Sequence, residues 1–345
     1  MPSKLLKHIA HGMAAAIACM LFVGDAQPAH AGDAYTLVAS LVKSKGYVVG
    51  ARLSQSGLYR FSHDTTWVHF GWNHPRISAI DQDKGTPSRF FAAAGNGILR
   101  SNSHATDWKI VSGWDYTEGL AVAIDPNNPQ RVLASCAYGI WRTEDGGDTW
   151  QRTSEGLKSG YTDRLVADQQ TPNRFLAANE HGLFASTDAG SNWHSIAAAG
   201  LMMHDLDQSR LNADIWLTGG EKAGAYLSTD NGQQWQPLAA PIAGKTIVGV
   251  ALDWHDAGLM AICGWDAGVF LSRDQGATWT QIGDKLPTKH IYDLIFDRNS
   301  PGVLHVGTFE EGFYVTRDDG ETWTFTGLSG AIPFDMVYLP THDEN

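Results

Sequence analysis

The chain is 345 residues long, 43% of them hydrophobic, with a formal net charge of −12. That acidity excludes nucleic acid and anionic membrane surfaces as partners, and suits a basic protein, a cation or plain solubility. Beyond the N-terminal leader no run is apolar for long enough to make a transmembrane helix, so no span is expected.

The leader comes first. Lys4 and Lys7 with no acid before Asp25, the apolar run "MAAAIACMLFV", and Ala29 and Ala31 ahead of Gly32 form a signal-peptide pattern with cleavage near Ala31. An alternative takes Cys19, in "AIAC", as a lipid-attachment residue. The expectation is an exported protein, periplasmic or secreted, in which residues 32–345 form a single domain large enough for a substantial core.

From residue 57 onward one pattern recurs. Apolar alternations led by glycine ("GLYRFS", "GILRS", "GIWRT", "GLFAS", "GAYLS", "GVFLS", "GFYVT") begin at Gly57, Gly97, Gly139, Gly182, Gly224, Gly268 and Gly312, a period of 40 to 44 residues. Five of them end in a hydroxyl, an Asp, a Gly and a Trp at fixed offsets. These are Thr143-x-Asp145-x-Gly147-x-x-Trp150, Ser186-x-Asp188-x-Gly190-x-x-Trp193, Ser228-x-Asp230-x-Gly232-x-x-Trp235, Ser272-x-Asp274-x-Gly276-x-x-Trp279 and Thr316-x-Asp318-x-Gly320-x-x-Trp323. Ser101-x-Ser103-x-Ala105-x-x-Trp108 is a decayed copy, and Ser62-x-Asp64-x-x-Trp67 a shortened one. One copy reads as a hairpin turn. The hydroxyl and the carboxylate accept bonds from turn N–H groups, the glycine supplies a positive φ, and the tryptophan buries apolar surface against the turn. The five Asp and five Trp residues are therefore assigned to structure and not to chemistry.

Within a period the sequence gives four strands. In the third repeat these are "GLAVAID" (119–125), "RVLASCA" (131–137), "IWRT" and "WQRTS", separated by "PNNP", "YG" and the hydroxyl–Asp–Gly–Trp turn. Four short antiparallel strands repeated seven times predict an all-β, seven-bladed β-propeller. The terminal "PFDMVYLP" (333–340) reads as a first strand with nothing after it to complete a blade. It is expected to insert as the innermost strand of blade one, whose strands two to four come from "GYVVGARLSQSGLYRFSHDTTW", and so to close the ring. "YTLVAS" (35–40) competes for the same position or lies alongside it.

The repeated turns resemble the Asp-box, or BNR repeat, and place most of the chain after the leader with BNR-repeat propellers. That superfamily includes sialidases, xyloglucan-degrading enzymes, sortilin-type receptor domains and photosystem II assembly-factor-like proteins. In organisation the chain is similar to the last type, with a leader, one seven-bladed ring and turns of the "STDAGSNW" kind. The resemblance implies a non-catalytic protein that binds another protein during assembly. The likeness to sialidases stops at the turns. Their chemistry implies three arginines converging on a substrate carboxylate, and here the nearest string to the usual arginine motif is "HPRIS" (74–78). The xyloglucan enzymes imply two linked propellers around a cleft, and this chain has length for one.

Strand parity assigns the faces. The hydroxyl–Asp–Gly–Trp turns and the turns between strands one and two share one face, and the remaining loops share the other. Unusual residues collect on that second face, so the ligand- or partner-binding candidates are Trp72, His74, Arg76, Trp114, Tyr116, Tyr161, Arg164, His204, Trp265 and His290. The tryptophans either stack on a sugar or a partner's side chain, or plug gaps between blades. His74, His181, His204 and His290, with Met202 and Met203, lack HxH or CxxC spacing, so no metal or cofactor is expected. Asp163, Asp205, Asp293 and Glu118 either supply a carboxylate pair for glycoside hydrolysis or cap loops. Cys136 and Cys263 fall at equivalent positions of non-adjacent repeats, too far apart for a disulfide, and read as two small buried side chains. The leading expectation is an exported, monomeric, non-enzymatic propeller that binds a protein partner through this face. A glycoside hydrolase is the runner-up, and a carbohydrate-binding role comes third.

Overall fold

Seven four-stranded antiparallel sheets make up the computed structural model, which describes residues 35–45, 56–62, 66–74 and 76–340. The strands, β1 to β28 in chain order, fall into blades of four consecutive strands, except in blade one. There the order is β28-β1-β2-β3, with β28 (Ala331–Pro340) innermost and paired to β1 (Tyr35–Lys43) from Ala331↔Lys43 to Tyr35↔Pro340, followed by β2 (Gly57–Ser62) and β3 (Thr66–Phe70). The predicted seven-bladed propeller closed by the C-terminal strand is therefore observed. One assignment in blade one changes. Its second strand is Tyr35–Lys43 and not "GYVVGARL", whose residues lie outside those described. The nine-residue apolar alternation of β1 matches the long β28 edge in length, which is the physical reason it takes that place. The leader, Asp64 and the Cys19 alternative also lie outside the described residues, and every described element belongs to one compact unit, Asp33–Asn345.

Blade three shows how closely the repeat maps onto strands. β8 (Gly119–Ile124), β9 (Val132–Cys136), β10 (Gly139–Thr143) and β11 (Gln151–Arg152) follow the four segments read from the sequence. The inner strands of the other blades are β4 (Ile77–Gln82), β12 (Thr162–Ala167), β16 (Met203–Gln208), β20 (Gly249–Leu252) and β24 (Ile291–Phe296). The core lies between neighbouring blades. One cluster joins Phe91, Ala93 and Ile98 of blade two to Val122, Val132 and Cys136 of blade three. Second strands of blades two to seven are buried throughout their length, as in "FFAAA", "FLAAN" and "WLTGG". Their bulky ends fill the space between sheets, each buried aromatic being worth about 2 kcal/mol. Their small ends admit backbone from the loops, and at Gly264 an added Cβ would stand 1.8 Å from the Thr246 carbonyl oxygen.

The hydroxyl–Asp–Gly–Trp turns are satisfied internally. Thr143 Oγ1 accepts the Gly147 amide at 2.9 Å and donates to Asp145 Oδ1 at 2.7 Å, while Asp145 also accepts the amide and hydroxyl of Thr149 at 2.9 and 2.6 Å. Asp188, Asp230, Asp274 and Asp318 repeat the bond to the hydroxyl and the bond from the amide four residues on. Two successive residues turn left-handed, Gly146 and Gly147 at φ 72° and 94°, and Ala189 and Gly190 at 60° and 81°. The second must be small as well, since a Cβ on Gly147 would meet Phe91 of the preceding blade at 2.8 Å. The tryptophans seal these corners. Trp193 Nε1 donates to the Thr153 carbonyl oxygen and Trp323 Nε1 to that of Ile282, each in the blade before, while Trp235 and Trp279 bond within their own turns and Trp150 packs on Phe91.

Candidate functional site

Backbone bonds fix the two faces. On one, the hydroxyl–Asp–Gly–Trp turns bond to the turns between strands one and two, with Gly146 donating to Gln130 and Ala189 to Asn173, both at 2.8 Å. On the other, the loops between strands two and three bond to the entry of the inner strand, with Glu221 donating to Met202 at 2.8 Å and Phe309 to His290 at 2.9 Å. The face assignment made from parity therefore holds in the structure.

The central channel is built from the inner strands, and carboxylates tie those strands together. Asp335 Oδ2 on β28 accepts the Ile80 amide of blade two at 3.0 Å, and Asp81 Oδ2 accepts the Ile124 amide of blade three at 2.8 Å. Asp205 and Asp207 of blade five accept the Val250 and Leu252 amides of blade six at 2.9 and 3.1 Å. One guanidinium crosses the channel. Arg164 of blade four reaches Asp335 of blade one at 2.9 Å and Asp205 of blade five at 3.5 Å. Blades four and one lie as far apart as a seven-membered ring allows, so this pair is a strut across the channel. Burial pulls the Arg164 pKa down, but Asp335 and Asp205 reverse that and leave it raised.

Burial raises the carboxyl of Asp205, against the opposing pull of Arg164. Asp293 is pushed well above the usual carboxylate range, first by burial and then by the Asp335 and Asp205 charges. Its one hydrogen bond takes the Leu294 amide at 2.8 Å. At the channel mouth His204 Nδ1 lies 2.8 Å from Asp163 Oδ2. Tyr161 beside them is pushed up to about 12 by burial and by Asp163. Asp335, Asp81 and Asp207 are the channel residues the sequence reading passed over. The signal for Asp335 was present, since it sits on the segment assigned to the innermost strand, where alternate side chains must face the channel.

The remaining candidates separate by exposure. Trp114 stands fully in solvent, and Trp72 and Trp265 are 45% and 41% exposed. His74 and Tyr116 are corrected to interior positions. His74 Nε2 bonds Asn96 Oδ1 at 2.8 Å, and the Tyr116 hydroxyl donates to the Ser135 carbonyl oxygen at 2.5 Å, so both are consumed in packing. Arg76 is exposed with its guanidinium over Phe334. Trp265 gathers a cluster: it stacks on His290 at 4.1 Å and meets Tyr292 and Phe309 edge-on at 5.9 and 5.3 Å. Tyr138, Tyr292 and Phe309 are additions to the candidate set. Cys136 and Cys263 are free and buried. Among the described residues no three His, Cys, Asp or Glu side chains form a group able to hold a metal ion, and no helix is long and apolar enough to cross a membrane. On the opposite face a cleft of about 470 Å³ opens between blades six and seven; its bases are already paired, Arg273 with Asp319 and Lys285 with Glu321, and Asp274 and Asp284 accept from Thr278 and Gln281.

Comparison with known proteins returns propellers. The family described as "Sortilin, neurotensin receptor 3" matches residues 96–248, less than half of the chain. No curated protein sequence matches. Among solved structures, a GH74 enzyme of Niastella koreensis is similar with a TM-score of 0.68 at 17% identity, over 84% of this chain and 55% of that one. The chain thus spans about half the length of that enzyme. YCF48 bound to D1 peptide is similar with a TM-score of 0.56 at 14% identity, over 72% of this chain and 81% of that one. The extracellular domain of a putative hybrid two-component system from B. thetaiotaomicron is similar with a TM-score of 0.59 at 15% identity, over 80% of this chain and 38% of that one. At these identities the likeness is one of fold.

Proposed function

We propose that this protein is an exported, non-enzymatic propeller of the Asp-box type that binds a protein partner through its loop-rich face. The supporting observation is how the two kinds of residue on that face are used. Trp72, Trp114, Tyr138, Trp265 and Tyr292 are exposed, whereas its channel carboxylates, Asp293 apart, are spent on ties between blades. Exposed tryptophan and tyrosine on a rigid frame make the anchors of protein interfaces. A fold neighbour, YCF48, has been solved bound to D1 peptide, which supports the reading. The test is affinity capture from an extract of the exported fraction, with wild type beside a variant carrying Trp72→Ala, Trp114→Ala and Trp265→Ala. Capture of a defined partner by wild type alone is expected, and equal recovery by both proteins would refute the face.

A second reading is a glycoside hydrolase, favoured by one observation. Burial and the Asp335 and Asp205 charges push the Asp293 carboxyl well above the usual carboxylate range, the direction a general acid requires. Here Asp293→Asn separates the readings. As a binding scaffold the variant keeps its partner and is more stable at neutral pH, because a carboxyl with a raised folded-state pKa costs stability above its unfolded value. A rise in Tm of about 2 °C is expected. Release of reducing sugar from xyloglucan or of sialic acid from a sialoside by wild type, abolished in Asp293→Asn, would instead establish the enzyme.

A further inference from the structure

We propose that the loop-rich face from blade six round to blade three receives an extended lysine- or arginine-rich segment of the partner, an inference that rests on the protein-binding reading above. Three observations carry it. The exposed aromatics are not scattered around the ring. Trp265 belongs to blade six, Tyr292 to blade seven, Trp72 and Trp114 to the loops leading into blades two and three, and Tyr138 to blade three. These are consecutive blades, and the same face of blades four and five offers no exposed aromatic among the described residues.

The second observation is charge. Four places on this arc set a carboxylate beside a ring: Asp115 follows Trp114, Asp266 follows Trp265, Glu310 follows Phe309, and the Tyr138 hydroxyl lies 3.4 Å from Glu118; the loop of Trp72 carries no acid. Asp115, Glu118 and Asp266 form no ion pair among the described residues, and all three are exposed. A ring face next to an unpaired carboxylate is the chemistry that takes up ammonium and guanidinium groups, by cation–π attraction and an ion pair together. The exposed bases near these rings are Lys289, Arg76 on the loop of Trp72, and Lys45, which is already paired with Glu311. The chain's net charge of −12 acts in the same direction at longer range.

The third observation is the strut. The Arg164–Asp335 pair stands across the channel, in the way of a segment threading the ring, and so favours an occupant that lies along the arc. An extended segment passing from blade six to blade three can set successive basic side chains on Trp265, Tyr292, Trp72 and Trp114. A folded domain with one protruding residue would use a single station.

The test is fluorescence anisotropy with a labelled dodecapeptide of alternating arginine and serine, against the matching peptide of glutamate and serine. The basic peptide is expected to bind and the acidic one not to, with affinity falling as salt rises. Trp114→Ala with Trp265→Ala, and separately Asp115→Asn with Glu118→Gln and Asp266→Asn, are each expected to weaken binding about tenfold. Asp214→Asn with Glu321→Gln neutralises acids on the opposite face and should leave it unchanged. Equal binding of both peptides, undiminished binding by the carboxylate variant, or binding of a glucan oligosaccharide in place of the basic peptide would overturn the inference. Capture of the physiological partner that needs the tryptophans but not the carboxylates would sink this inference and leave the protein-binding reading standing.

Discussion

Asp188 takes the Asn192 side-chain amide at 2.7 Å, the Asn192 backbone amide at 2.9 Å and the Ser186 hydroxyl at 2.8 Å. These bonds, led by the Asn192 side chain, hold its carboxyl down from 3.8 to about 2. Asp145, Asp230, Asp274 and Asp318 are lowered by the same kind of turn bonds. The sign follows from linkage. A carboxyl depressed in the folded state stabilises fully above its unfolded pKa, and that contribution disappears as pH falls through the folded value. Thermal midpoints are therefore expected to be level near neutrality and to fall between about pH 4 and pH 2. Replacing Asp188 and Asp274 together by alanine should lower the neutral midpoint and make the acid limb shallower. An acid limb of undiminished steepness in that variant would assign acid unfolding to other carboxyls.

At the scale of strands, the legible part of the fold was everything local. The period of glycines, the alternation of β8 to β10 and the turn chemistry all follow from residues within one repeat, and each appears where it was expected. What was lost depends on contacts between repeats. The sequence does not say that Asp335 of the last strand will meet Arg164 across the ring, because their separation of 171 residues carries no local signature. Tyr116 reads as a face residue for a different reason: the bond that draws its hydroxyl inward goes to the Ser135 carbonyl oxygen on β9 of the same repeat, 19 residues on, which no strand or turn pattern marks. The strut itself makes a testable element. Asp335 is 3% exposed and serves Arg164 and the Ile80 amide at once, so Asp335→Ala leaves the Ile80 N–H without its acceptor and the Arg164 guanidinium with the longer Asp205 contact alone. A loss of about 3 kcal/mol is expected. Arg164→Gln should cost less, because Asp335 keeps the Ile80 bond. A double-mutant cycle between the two should give a coupling of about 1 kcal/mol, and a coupling near zero would mean the pair is not formed in solution.

Closure is a property of the whole ring, and one segment makes it. β28 supplies the innermost strand of blade one, pairs along the full length of β1, and packs between β24 of blade seven and β4 of blade two. Met336 and Tyr338 lie in one core cluster with Phe61 and Phe313, and Leu339 lies in another with Leu58 and Ile80. Removing residues 331–345 would strip both clusters at once. It would also leave the inner edge of β1 with unpaired N–H and C=O groups, an open template for another chain. Because each blade's core is completed by its neighbour, the loss cannot stay local. The truncated chain is expected to lose its single cooperative unfolding transition and to self-associate in sedimentation experiments. The missing strand should then act in trans. A peptide of sequence AIPFDMVYLP should restore a monomer and a cooperative transition at saturating concentration, whereas the same peptide with alanine in place of its aspartate should do so poorly, since that carboxylate anchors both Ile80 and Arg164. A truncated chain that remained monomeric with an unaltered midpoint would show that the ring does not depend on its last strand, and the closure seen here would then be ornamental to its stability.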